Sequence, residues 1–314
     1  MATLPPVFIL GSPRSGTTLF SLMLKQQPQI AIPYESHFIV PVVKKWKDVT
    51  ANDFPSVRQE ILEEIFSSAY VRDWNPEISR QQVDLQKCNN LSTLIDAVFM
   101  AYATNSSKQR WGDKTPGYLT HADTLYHLFP HSKFVHLVRD GRDASLSLLK
   151  THFGPSNFLS AIQHWERNVT IARKMLAMLD SDQQMEIRYE DLVESPQSIL
   201  AAVCDFLDLE FQPDMLENFG ENVESKVGNR VHAHHSNLLQ PVNSASCGRW
   251  KQELGKADQH LAWKTAGKLL SELGYDRGES CSLVSREIRR TVHRCRSSFG
   301  WWTGSGKPED KKTS

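Results

Sequence analysis

The sequence predicts an α/β protein, a central and mostly parallel sheet flanked by helices. Three observations carry that expectation. Short β-branched and aromatic runs recur along the chain, each ends in a tight turn, and each turn leads into a stretch with helical periodicity. Strands alternating with helices in this way form βαβ units, whose parallel strands are joined by crossovers and covered on both faces.

The first run is Val7–Leu10, closed by Gly11 and followed, after a loop, by Leu19, Leu22, Met23 and Gln26 at helical spacing. Further on, "PSVRQEILEEIFSSAY" and "LSTLIDAVFMAYATN" read as helices, with Val57, Ile61, Ile65 and Leu94, Val98, Ala101 toward the core. Residues 40–108 thus form a helical insertion over the sheet. Arg110–Trp111 is a short strand. Phe134–Val138 is another, leading through a turn at Arg139–Arg142 to a helix with Ala144, Leu146, Leu148 and Leu149; Arg142 and Asp143 serve the turn and the helix start, where an aspartate caps well. A third such unit begins at Met185 in "MEIRYEDLV" and continues into "SILAAVCDFLDL". The last helix, in "ADQHLAWKTAGKLLSELGYD", carries Leu261, Ala262, Ala266, Leu269 and Leu273 on one stripe and ends at Gly274. No change in composition separates two domains, so residues 1–302 read as one, and 303–314 have the polarity of a disordered tail.

Composition narrows the function. At 314 residues and 40% apolar content the chain can bury a sizeable core, and its 36 acidic and 36 basic residues cancel. A balanced charge gives no argument for a nucleic-acid binder, although a neutral total can conceal a local basic pocket. The N-terminus lacks a basic region and its apolar run is four residues long, and no stretch is long enough to span a bilayer. The five cysteines are odd in number and show no C-x-x-C spacing, as in a reducing compartment. A cytoplasmic protein is expected.

The most specific stretch is "GSPRSGTT", from Gly11 to Thr18. It has the frame of a P-loop, in which backbone N–H groups and a helix N-terminus converge on an anion. That frame makes the expected architecture a P-loop-type three-layer fold. A nucleotide hydrolase places lysine after the second glycine to neutralise the terminal phosphates, with a magnesium ion on the next hydroxyl. Here Thr17 stands at that position and the loop's only cation is Arg14. The arrangement suits an anion less charged than a triphosphate, held without a strict need for metal; a bare glycine-rich turn can also serve packing alone.

With these residues in view, "PRSGTT" resembles the 5′-phosphosulfate loop of sulfotransferases that use 3′-phosphoadenosine 5′-phosphosulfate (PAPS), and its arginine form is similar to the tyrosylprotein sulfotransferase branch. "VRDGRDASLS" resembles the family's 3′-phosphate motif, here Arg139 and Ser147; "IRYEDLV" is like a segment whose tyrosine, here Tyr189, lies near the adenine; "GRWKQEL" resembles the basic loop that closes over the donor, here Arg249, Trp250 and Lys251. The resemblance spans residues 7–254. It implies that Arg14, Ser15, Gly16, Thr17 and Thr18 cradle the donor, that PAPS gives a sulfuryl group to a hydroxyl and leaves as 3′-phosphoadenosine 5′-phosphate (PAP), and that residues 1–302 form one sulfotransferase domain. It further implies that Glu35 of "IPYESHF" is the general base, with His37 as the alternative, and that Lys114 of "RWGDKTP" contacts the bridging oxygen of the leaving group. Asp113 either orients Lys114 or caps the helix after Pro116. Tyr189 is equally readable as a core aromatic. The branch's further basic residue, four positions past the serine, is Thr151 here, and Arg249 and Lys251 are placed to supply the lost charge.

Other features have two readings. His232, His234 and His235 are too closely spaced for a tetrahedral metal site without distant partners, so they read better as acceptor lining. "REIRRTVHRCR" is either a solvated helix or a contact for an acidic membrane or partner. No metal is required by the expected reaction. The acceptor is open among metabolite, glycan, lipid and peptide hydroxyls, and a homo-oligomer is compatible with the sequence. The rival functions are a P-loop kinase acting on a small molecule and a non-catalytic nucleotide-binding module on the same fold.

Overall fold

The computed structural model describes residues 4–217 and 244–277. Five parallel strands, β1 (Val7–Leu10), β2 (Ile30–Ala31), β3 (Arg110–Asp113), β4 (Lys133–Val138) and β5 (Gln184–Arg188), form one sheet in the order β2-β3-β1-β4-β5. The chain builds β2 and β3 on one side of β1 and then crosses to β4 and β5 on the other. That reversal leaves a crevice beside β1 at the carboxyl ends of the strands, where ligands bind in open α/β sheets.

The helices are α1 (Thr17–Lys25), α2 (Ile39–Trp46), α3 (Phe54–Ser67), α4 (Ala69–Arg72), α5 (Leu91–Asn105), α6 (Ala122–Leu128), α7 (Gly141–Leu149), α8 (Phe158–Leu176), α9 (Tyr189–Glu194), α10 (Pro196–Phe206), α11 (Asp214–Glu217), α12 (Trp250–Glu253) and α13 (Lys256–Glu272). β1 is buried on both faces, and its alternating side chains divide the core. Phe8 and Leu10 join α2, α3 and α5 in one cluster, while Val7 and Ile9 join α1 and α10 in another. Such two-sided burial is why the strand reads as a continuous apolar run. A third cluster joins α7, α8, Trp250 and α13. Among the described residues no helix is long and apolar enough to cross a membrane.

Local chemistry accounts for the helix ends. Asn90 caps α5 by accepting from the Thr93 amide at 2.9 Å, Asn157 caps α8 by accepting from the Ser160 amide at 2.9 Å, and Gly274, at φ 78°, follows α13. The strand, loop and helix at each predicted unit are present. β1 has the expected bounds, β3 runs two residues further and β4 starts one residue earlier than expected, and Tyr189 opens α9 instead of closing β5. Strand β2 and helices α2, α8, α11 and α12 were not anticipated. Of the five cysteines, Cys88 and Cys204 are buried and Cys247 is half-buried, all as free thiols; Cys281 and Cys295, the histidines at 232, 234 and 235, the basic run and the tail lie outside the described residues.

Candidate active site

Each strand delivers a predicted site residue at its carboxyl end. Arg139 directly follows β4, Tyr189 follows β5 and Lys114 follows β3, while the glycine loop follows β1 and Glu35 lies four residues beyond β2. Parallel pairing puts all these ends on one edge, which is how residues so distant in sequence are gathered.

The loop after β1 turns sharply. Arg14 and Gly16 both have positive φ, 69° and 90°, and Gly16 is the residue before α1. A side chain at Gly16 would overlap Tyr189, since a Cβ there would lie 2.3 Å from its ring. Only glycine accommodates both the backbone and the ring. Arg14, a non-glycine residue in this region, is held from both ends: its Nε donates to Ser147 Oγ at 3.0 Å, and its carbonyl accepts from Arg139 at 2.9 Å. Arg139 also donates to the Ser246 carbonyl at 2.6 Å and lies 4.7 Å over the Tyr189 ring. These acceptors are neutral. Burial, with Arg139 close by, lowers the Arg14 pKa. Two neighbouring, partly desolvated cations beside amides at a helix N-terminus constitute an anion site. Ser15 Oγ and Arg139 Nε are buried there without a hydrogen-bond partner.

Opposite this loop lies a carboxylate with both oxygens engaged. Lys114 Nζ donates to Glu35 Oε1 at 2.6 Å, and His37 Nε2 is 2.7 Å from Glu35 Oε2. Lys114 also reaches Thr18 Oγ1 of the donor loop at 3.5 Å, so one ammonium links the two halves of the site. Its side chain is only 3% exposed. Burial raises the Glu35 pKa, but the charges and hydrogen bonds of Lys114 and His37 outweigh it and hold the carboxyl at about 2. His37 has φ 55° and its ring lies 4.0 Å from that of Tyr70.

The structure therefore brings Arg14, Ser15, Gly16, Thr17, Thr18, Glu35, His37, Lys114, Arg139, Ser147 and Tyr189 to one edge. Some residues serve differently from the expectation. Asp140, not Asp143, caps α7 by accepting from the Arg142 amide at 2.9 Å. Asp143 points instead at the segment before α12, accepting from the Gly248 amide at 2.6 Å and the Trp250 amide at 2.8 Å. Arg142 belongs to the buried interior of α7: it pairs with Asp140 at 2.7 Å and stacks 3.4 Å from the Trp250 ring centre. The basic segment is thus clamped onto the sheet edge with Trp250 in the core. Arg249 pairs with Glu253 and Lys251 with Asp276 at its rim. Thr151 is a buried hydroxyl bonded to the Leu148 carbonyl at 2.7 Å. Asp113 neither orients Lys114 nor caps a helix; it accepts from Thr115 Oγ1 at 3.0 Å. Ser36, Thr115 and Tyr118, which support the Glu35 loop, escaped the sequence reading. Their only signal was a cluster of hydroxyls beside "YES" and "DKTP".

A sequence profile described as "Sulfotransferase family" matches residues 5–213. The chain is similar to the protein-tyrosine sulfotransferase of Drosophila melanogaster, 24% identical over 284 residues that cover 87% of this chain and 52% of the fly protein. It is also similar to protein-tyrosine sulfotransferase 2 of Gallus gallus, 24% identical over 87% of this chain and 70% of the chicken protein. The chain therefore spans about half the length of the first relative. Among solved structures, the sulfotransferase domain from the curacin biosynthetic pathway has a TM-score of 0.61 at 21% identity, covering 88% of this chain and 99% of that domain. The sulfotransferase domain of the Synechococcus PCC 7002 olefin synthase gives 0.60 at 21% identity, covering 87% and 95%. These two likenesses are of fold.

Proposed function

The chain belongs to the sulfotransferase family, and from that premise we propose that it transfers a sulfuryl group from PAPS to a hydroxyl acceptor, with Glu35 as general base. The observation that carries the reading is Lys114, whose Nζ bonds the carboxylate at 2.6 Å and stands 3.5 Å from Thr18 of the donor loop.

Each residue has a role in the transfer. The loop amides, Thr17 and Thr18 hold the 5′-phosphosulfate, Arg14 faces the sulfuryl oxygens, and Arg139 with Ser147 grips the 3′-phosphate. Tyr189 flanks the adenine, and the segment held by Asp143 and carrying Arg249 and Lys251 closes the donor site. The acceptor oxygen attacks sulfur in line as the bond from sulfur to the bridging phosphate oxygen breaks; the acceptor proton passes to Glu35 and PAP leaves. Positive charge fixed where negative charge develops lowers the barrier without reorganisation.

Lys114 couples the two halves. With the carboxyl held at about 2, Glu35 is a weak base. A donor whose bridging oxygen draws Lys114 toward Thr18 frees Oε1 and raises the proton affinity of Glu35, so the base is activated only when a sulfuryl group is in place. The names of the fly and chicken relatives put a tyrosine hydroxyl first among acceptors to test. The test is mass-spectrometric comparison of sulfated products in cells carrying the parent gene or Glu35→Gln. Products present only with the parent gene support the reading; identical profiles refute it.

A further inference from the structure

Behind Glu35 lies a chain of buried hydroxyls that ends on a carboxylate. Asp113 closes β3 and is 1% exposed; its Oδ2 accepts from Thr115 Oγ1 at 3.0 Å. The same Thr115 oxygen accepts from the Ser36 amide at 2.9 Å. Ser36 Oγ is 3.0 Å from Tyr118 OH, and that phenol oxygen accepts from the Ile39 amide at 2.8 Å. Ser36, Thr115 and Tyr118 are themselves buried. The β3 end thus grips the loop after β2 on both sides of His37, where the backbone takes its positive φ. An unfavourable backbone conformation persists only where its surroundings over-determine it.

A neutral acceptor would satisfy Thr115 equally well in number of bonds. The carboxylate is costly: Asp113 Oδ1 is buried with no partner. What an acceptor-only group adds is direction. Facing it, Thr115 must donate to Asp113, which leaves its lone pairs for the Ser36 N–H.

We propose that Asp113 is a positioning residue for the transfer reaction, acting through Thr115 to fix the Glu35–Ile39 loop against Lys114. The inference rests on Glu35 being the base. The titratable groups facing Asp113 are Lys114 next along the chain, His37 from the loop opposite and Tyr118 from the segment after β3. Burial outweighs the opposing hydrogen bonds and the charges of His37 and Lys114, and pushes the Asp113 carboxyl up to about 6. Protonated, Asp113 carries a hydrogen of its own, so it no longer fixes which of the two oxygens donates and which accepts in its bond with Thr115. Turnover therefore falls as the pH drops through about 6, and Asp113→Asn separates that limb from protonation of Glu35 itself.

The test combines amide hydrogen exchange on the full chain with PAP formation from PAPS, using 2-naphthol as acceptor. Thr115→Val is expected to accelerate exchange at Ser36 at least tenfold and, for a base displaced by about an ångström, to lower kcat by about 10- to 100-fold. PAP affinity stays within twofold, which shows the variant folded, and Thr115→Ser restores both exchange and kcat. Asp113→Asn is expected to lose the acid limb near pH 6. Unchanged Ser36 exchange in Thr115→Val, failure of Thr115→Ser to restore it, or an acid limb retained in Asp113→Asn overturns the proposal. Parent-level turnover in Glu35→Gln together with accelerated Ser36 exchange in Thr115→Val overturns the base assignment and not the strut.

Discussion

Replacing Lys114 by methionine tests the pairing at the centre of the site. The substitution keeps the length of the side chain and removes its charge, so Glu35 is left with His37 alone in a position where its side chain is 17% exposed. Glu35 lies at about 2 against an ordinary 4.5, a difference worth about 3 kcal/mol at roughly 1.4 kcal/mol per pKa unit. That agrees with the ~3–5 kcal/mol lost when one partner of a buried pair is removed. Because the folded pKa is depressed, the stabilisation is complete above pH 4.5 and lost as the pH falls toward 2. At neutral pH the variant should melt lower by about 6–12 °C, taking roughly 2–4 °C per kcal/mol for a large domain. The loss relative to parent should shrink as the buffer is taken below pH 4. Thermal melting across that pH range measures this directly, and PAPS turnover measures the catalytic loss. A variant that melts with the parent at pH 7 and turns over PAPS at the parent rate would refute both the ion pair and the role given to Lys114.

The remaining predictions concern single residues. Glu35→Gln should lower kcat by about 10²–10⁴-fold, the range for a positioned general base, with PAP affinity retained in calorimetry; His37→Ala should leave more activity than Glu35→Gln. A reversed order of the two would move the base to His37. Arg139→Ala should weaken PAP binding by tenfold or more and leave 5′-AMP binding nearly unchanged, as titration of both nucleotides will show. Asp143→Ala removes two amide contacts to Gly248 and Trp250; proteolysis near residue 248 should speed up, and PAP should slow it again.

Much of this was legible from local pattern. Val7–Leu10 and Phe134–Val138 stood out because strands buried on both faces are mostly apolar runs, broken only by His136 in the second, and α5 because Leu94, Val98 and Ala101 recur at helical spacing. The signal of α8 is a stripe and not a run: its buried residues, among them Ile162, Trp165, Val169 and Ala172, lie at helical spacing, interleaved with His164, Arg167 and Arg173. The site divided along the same line. Arg14, Thr18, Glu35 and Lys114 each sat in a recognisable string, whereas the bond from Ser36 to Thr115 joins residues 79 apart and exists only once β2 and β3 pair. Asp140 and Asp143 lie in one turn; which of them caps and which clamps depends on Trp250, more than a hundred residues away.

The central claim is that the loop and Arg139 together hold a 3′-phosphorylated adenine nucleotide. Isothermal titration of the full chain with PAP and, separately, with 5′-AMP tests it most directly. Saturable binding of PAP, at least tenfold tighter than that of 5′-AMP and reduced toward the 5′-AMP value by Arg139→Ala, is the predicted result. No saturable binding of PAP, or equal affinity for the two nucleotides, would contradict it.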